Sequence, residues 1–406
     1  MIEKEVLSIP DWYKKRSVAG SLWRIHLNKK YLQEYGLGSN ILLINANTRE
    51  LVEKAHKLGF RCITYVAFMD VYVTDEGEGT SWHQRVAYDK HKPGMLLLDK
   101  NGRPVNTFMD HTKRMNRFVV CNNTRDYVDA ALSHAETSLK MGADGLFVDN
   151  CTSRLPCFGH NVRVGYSEKH KTVISADPRV TPVDPEVQKL SVHQHLWPEE
   201  DHNTAFKLLL KEVRRKVKSF GQDKIMVVNG TDFTDVADGG LWESFICSWG
   251  WNTRKFDWPR MKDQARQRKP YTDTGYRIVA LSFLGHTPNP IKDDAYFCYA
   301  AARLLDFIWS DYQSMGKDPA NRLYSLDLGE PTSEILTASG VDYRIYEKGI
   351  VALNPERHGK KVKFKLGPLS KRPALEDAYA EKQIKIDGHY LSVEFPAESG
   401  RVYVCD

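Results

Sequence analysis

Two stretches of the chain deliver an acid in the same way. Gly142-Ala143-Asp144-Gly145-Leu146-Phe147-Val148-Asp149-Asn150 enters through Asp-Gly, runs apolar and leaves through Asp-Asn. Asp238-Gly239-Gly240-Leu241-Trp242-Glu243 repeats the layout, with an acid five positions beyond the opening Asp in each case. An apolar run of this kind reads as a buried parallel strand carrying a carboxylate at its C-terminal end. Two carboxylates, one ionised and one holding a proton, are the equipment for breaking a glycosidic bond. Asp149 and Glu243 are therefore the expected catalytic pair, set against the plainer reading of a helix cap or salt-bridge partner for either one alone.

Other residue types would suit sugar contact. Asn150 and Asn229 can hydrogen-bond sugar hydroxyls or satisfy loop backbone. Trp249 and Trp251, just beyond Glu243, can form a stacking platform or belong to the core. Asp70 and His286, at the ends of expected strands, can line a pocket or bond locally, and Arg254 could meet an acidic sugar group. His193-Gln194-His195, with Glu199, Glu200, Asp201 and His202 nearby, could hold a metal, since His-x-His places two imidazoles on one side of a strand. The spacing matches no zinc signature, so the expectation is a solvated loop over the cleft, with no metal and no cofactor.

The elements that must position these residues alternate. Strands are expected at Ile41 to Ala46, Cys62 to Phe68, Phe118 to Cys121, the two acid-bearing stretches, Ile225 to Gly230, Arg277 to Leu284 and Phe307 to Trp309. Helical spacing of apolar residues lies between them, as in Leu51, Val52, Ala55 and Leu58, or Phe206, Leu209, Leu210, Val213 and Val217. Eight strands alternating with helices predict a (β/α)₈ TIM barrel. A hairpin turning at Asn101-Gly102 and an insertion of residues 151–202 interrupt the pattern. From about residue 325 the pattern changes to period two, which predicts a C-terminal antiparallel β-sandwich domain over 325–406 after a catalytic barrel over 1–324.

In this register Asp149 and Glu243 close the fourth and sixth strands, on the face where barrel active sites are built. Two interstrand spacings of about 4.8 Å would bring their carboxyl groups within the roughly 5–9.5 Å used in glycoside hydrolysis. Asp144 and Asp238 precede their strands and belong to the opposite rim, about 16 Å away at roughly 3.3 Å per residue.

With 406 residues, 41% hydrophobic and 27% charged, the chain can hold a full core. It has no apolar window of the roughly 18 residues a membrane span needs, so no membrane role is expected. The net charge of +6 is spread along the chain, which does not favour nucleic acid as a partner. Its seven Cys form no Cys-x-x-Cys pair. Cys62, Cys121 and Cys247 sit in apolar runs and read as reduced core thiols, while Cys151 and Cys157 could bridge only in an oxidising compartment. Met1 to Glu5 carry no apolar leader, so a cytoplasmic protein is expected unless a leader has been removed. Oligomeric state is not legible.

Three segments, Gly145-Leu146-Phe147-Val148-Asp149-Asn150, Val228-Asn229-Gly230 and Asp238 to Phe245, together with Tyr343 to Pro355, resemble the endo-α-1,4-polygalactosaminidases and related hypothetical glycosyl hydrolase barrels. The resemblance implies a retaining glycoside hydrolase acting on an α-linked oligo- or polysaccharide, with Asp149 as nucleophile and Glu243 as general acid/base. The alternatives are a carbohydrate-binding barrel without catalysis and a metal-dependent barrel hydrolase.

Overall fold

A computed structural model of the chain describes residues 9–15, 18–21, 27–34, 37–38, 41–72, 86, 92–107, 117–149, 156–160, 163–167, 172–176, 191–198, 200–248, 250, 252–311 and 321–405. In chain order the first half contains α1 (Asp11–Lys14), β1 (Val18–Ser21), α2 (Lys29–Glu34), β2 (Leu42–Ile44), α3 (Arg49–Lys57), β3 (Arg61–Ala67), β4 (Asp70–Tyr72), β5 (Arg117–Val119), α4 (Arg125–Leu139), β6 (Gly145–Asp149), β7 (Arg163–Ser167), β8 (Thr172–Ala176), β9 (Ser191–Val192) and α5 (His202–Ser219). Then follow β10 (Ile225–Asn229), β11 (Gly239–Glu243), α6 (Trp258–Thr272), β12 (Arg277–Ser282), α7 (Ile291–Leu304), β13 (Ile308–Asp311) and α8 (Asn321–Ser325).

Eight strands close a barrel in the order β1-β13-β12-β11-β10-β6-β3-β2. The first strand is Val18–Ser21, and the expected third strand is not in the barrel. Residues Arg117–Val119 pair antiparallel with Asp70–Tyr72 instead. Phe118-Val119-Val120-Cys121 has the apolar content of a barrel strand but serves an excursion, whereas Val18-Ala19-Gly20-Ser21 is too small and too short to announce itself in the sequence. One addition and one removal leave Asp149 and Glu243 on the fourth and sixth strands.

Gly145 shows why β6 opens on glycine. A Cβ there would lie 2.0 Å from the carbonyl oxygen of Ile225, so only a residue without a side chain lets β6 and β10 approach in register. Helices between the strands are capped as their sequences suggest: Thr124 accepts from Tyr127 N at the start of α4, and Asp201 from Thr204 N at the start of α5.

Beyond the barrel lie β14 (Leu336–Ala338), β15 (Val341–Tyr346), β16 (Gly349–Asn354), β17 (Lys360–Lys365), β18 (Ala374–Asp377), β19 (Lys382–Lys385), β20 (Tyr390–Phe395) and β21 (Ser399–Val404). Six of them form one antiparallel sheet, β14-β15-β16-β21-β18-β19, and β17 and β20 form another. In β17, Val362 and Phe364 are buried while the flanking lysines Lys361, Lys363 and Lys365 face solvent, the period-two pattern of a half-buried strand. Both sheets contribute to a single core that includes Tyr343, Ile350, Phe364, Leu375, Leu391 and Tyr403. Helix α7 packs against β13 as well as β16 and β21 and is buried from Asp294 to Leu304, which explains its run of alanines and aromatics.

The chain divides into two compact units, one of Met1–Ser8, Ala46–Val52 and Ile63–Gly239 and one of Ile9–Asn45, Glu53–Cys62 and Gly240–Asp406.

Candidate active site

In the first unit Asp149 ends β6, half-buried, with both carboxylate oxygens engaged. The Tyr65 hydroxyl donates to Oδ2, and Asn229 Nδ2 donates to Oδ1 at 2.5 Å. The barrel register produces this meeting. Tyr65 pairs with Phe147 and Ala67 with Asp149 across β3 and β6. Val228 pairs with Val148 across β10 and β6, so Asn229 follows beside Asp149. Alternation along a strand places Phe147 and Asp149 on one face, where the Tyr65 and Phe147 rings meet edge to face with centroids 5.5 Å apart.

The supports behind the carboxylate are themselves fixed. Thr64 Oγ1 donates to the Ala46 carbonyl at 3.1 Å, and Tyr65 N donates to Asn47 Oδ1 at 3.3 Å, pinning β3. An ionised carboxylate only accepts hydrogen bonds and has about four lone-pair sites. Two donors thus orient Asp149 and leave lone pairs for chemistry. Tyr65 was not legible as a site residue because it lies inside an apolar strand; the signal was a hydroxyl-bearing ring two residues before the strand end.

Other expected residues of this unit have different surroundings. Asp70 is fully buried, its Oδ2 2.6 Å from Arg117 Nη2 in a structural ion pair joining β4 to β5 rather than a pocket-lining position. Asp238, expected on the far rim, is fully buried there. It accepts from Arg214 Nη2 at 2.9 Å and Met226 N at 2.8 Å, with Lys218 Nζ at 3.4 Å. Asn150 lies outside the described residues.

In the second unit Glu243 ends β11 and is exposed. The chain then takes an unusual path, with Ser244 at φ 61° and Ile246 at φ 68°. Positive φ in a non-glycine residue, above all a β-branched one, costs on the order of 1–3 kcal/mol and persists where neighbours over-determine it. They do so here. Phe245 N donates to the Leu281 carbonyl at 2.8 Å, Phe283 N to Cys247 O at 3.1 Å, and Ser282 Oγ to Phe245 O at 2.6 Å, tying the turn to β12.

His286 is half-buried in the loop after β12. Arg254 bonds Asp294 at 2.7 Å and the Glu398 carbonyl at 2.6 Å, and its guanidinium lies 4.2 Å from the Phe297 ring centroid. It lines a cleft of about 670 Å³ with Asn289, Arg357 and Glu398, its charge already met by Asp294. Trp249 and Trp251 lie outside the described residues.

No family model matches the sequence, and no curated protein matches it. Solved structures do. The Amy13B protein of Eubacterium rectale aligns over 100% of this chain and 99% of its own, with a TM-score of 0.55 at 10% identity. The α-amylase of Anoxybacillus covers 97% of this chain and 98% of its own, with a TM-score of 0.52 at 10% identity. The α-amylase of Geobacillus thermoleovorans, solved with acarbose, gives 97%, 98% and 0.52 at 11% identity. The likeness is one of fold.

The first unit also gathers Cys121, Cys157, His193 and His195, with one ligand atom of each lying within 4.8 Å of all the others. His193 is fully buried, so the expected solvated loop does not hold at this position. Cys157 is a free thiol whose Sγ lies 3.3 Å from His193 Nε2. The hydrogen bond from Cys121, with further ones from His193 and His195, carries the Cys157 thiol down to about 2 against the opposing effect of burial. Burial, with the Cys157 sulfur beside it, pushes the Cys121 thiol the opposite way. The sequence hid this set because its members are 36 and 72 residues apart from His193 and form no local motif; only the His-x-His was visible.

Proposed function

We propose that the protein is a glycosidase that cleaves an α-linked oligo- or polysaccharide with retention, using Asp149 as nucleophile and Glu243 as general acid/base. The observation that carries the proposal is the Asp149 carboxylate held by Tyr65 and Asn229 at the C-terminal ends of adjacent parallel strands, the end at which barrel enzymes place their chemistry. The strained, pinned turn directly after Glu243 supports a role for the second acid. The α linkage is supported by the amylases that share the fold.

In the proposed reaction Asp149 attacks the anomeric carbon as the bond to the leaving oxygen breaks, and Glu243 gives that oxygen its proton. A water then attacks the glycosyl ester, giving its proton to Glu243 and releasing Asp149. Asp70 and Arg254 have no part in these steps, since each is neutralised by its ion-pair partner. Asn150, Asn229, Trp249, Trp251 and His286 are assigned to substrate contact, Asn229 through Asp149 as well.

Substitution tests the pair. On an α-linked glycan that the wild type turns over, Asp149→Asn and Glu243→Gln should each lower kcat by about 10²–10⁴-fold or more. Full activity in both variants would refute the assignment.

A further inference from the structure

We propose that Cys121, Cys157, His193 and His195 form a structural zinc site that fastens the insertion following Asp149 to the barrel excursion. Two thiolates and two imidazoles are the donor set of a closed tetrahedral zinc centre. Zinc–sulfur and zinc–nitrogen bonds of about 2.3 and 2.0–2.1 Å place neighbouring ligand atoms roughly 3.4–3.8 Å apart. The Cys157–His193 separation of 3.3 Å is already at this spacing, and the other ligand atoms need only a small contraction from within 4.8 Å.

The surroundings are costly without a cation. Cys121 and His193 are fully buried, and His195 Nε2 is buried with no hydrogen-bond partner among the described residues. Two apposed sulfurs can both ionise only if a positive charge sits between them. A divalent ion would neutralise both thiolates and engage both rings.

The backbone around the set is prepared for a fixed centre. Cys121 N donates to the Met95 carbonyl at 2.8 Å, and Phe158 N to Leu98 O at 2.9 Å. Asn123 clamps the His-x-His segment through Trp197 N at 2.8 Å and Trp197 O at 2.9 Å. The ligands thus come from three separately anchored segments: the one after β5, the one around Cys157 and the one after β9. Since four protein atoms fill the tetrahedron, no position is left for a hydrolytic water, and the ion holds structure rather than performing the reaction.

Metal analysis of the purified, desalted full chain tests the site. About one zinc per chain is expected, falling at least tenfold in Cys157→Ser and in His193→Gln, with Asp149→Asn retaining the metal. Cobalt(II) exchanged into the wild type should show thiolate-to-metal charge transfer and the visible bands of a tetrahedral ion, which needs no variant to fold. Wild-type protein without stoichiometric zinc after growth in zinc-supplemented medium, or with Cys121 and Cys157 joined as a disulfide, would overturn the proposal. The outcome is independent of whether Asp149 is catalytic.

Discussion

At the end of β6 a single carboxylate is held by two neutral donors, a phenol and a carboxamide, with no cation among its hydrogen-bond partners described above. Removing the Tyr65 hydroxyl tests what this hold is worth. Hydrogen bonds to charged groups contribute about 1.5–3 kcal/mol, so Tyr65→Phe should lower kcat on an α-linked glycan roughly 10- to 100-fold while circular dichroism stays unchanged. A kcat within twofold of wild type would show that the hydroxyl does not orient Asp149 for the proposed reaction. At this scale the sequence was partly legible. Asp149 and Asn229 stand out because a polar residue ending an apolar strand has few reasons to be there, whereas Tyr65 and the Cys-His set depend on partners 84 and up to 74 residues away, and nothing local records them. Asp70 shows the converse, an acid at a strand end whose partner, Arg117, belongs to an excursion that sequence periodicity had placed in the barrel.

Among elements, register carries the most information, because a shift of one residue would turn Asp149 away from Tyr65 and Asn229. The barrel strands were legible where they are long and apolar, as in β3, β6 and β10. They were not where the strand is four small residues, as in β1. Most of the C-terminal strands were legible, β17 and β20 from their alternation, whereas the short β14 and β18 were not. One clip joins that region to the barrel helices: Asp342 of β15 accepts from Trp258 Nε1 and Lys262 Nζ of α6, each at 2.7 Å, and from Thr337 Oγ1 at 2.5 Å. Burial pushes this carboxyl up, but the bonds from Lys262, Thr337 and Trp258 outweigh it and hold the group below its ordinary 3.8. A depressed carboxyl stabilises the fold fully above the unfolded value and loses that contribution as pH falls through the folded one. Asp342→Asn is therefore expected to cost about 1.5–3 kcal/mol near pH 7, with the gap in Tm to wild type narrowing as pH is lowered below 3.8. A gap that widens in acid would contradict this assignment of the clip.

For the whole molecule, a closed parallel barrel followed by antiparallel sheets is the arrangement that Amy13B and the two α-amylases share with this chain at 10–11% identity. Such distance leaves fold intact while sites diverge, so the proposed chemistry is supported by the surroundings of Asp149 and Glu243 and not by the likeness. Alternation of strands and helices made the barrel legible. The proposed sugar contacts are less so, because Asn150, Trp249 and Trp251 lie where no periodicity in the sequence marks an element. Retention is the sharpest consequence of a nucleophilic Asp149. The most direct measurement is proton NMR of the anomeric signals during hydrolysis of defined α-linked glycans, comparing wild type with Asp149→Asn. The account predicts that the α-anomer appears first and mutarotates later, with its release abolished by the substitution; the β-anomer appearing first, or α-anomer release unchanged in Asp149→Asn, would contradict it.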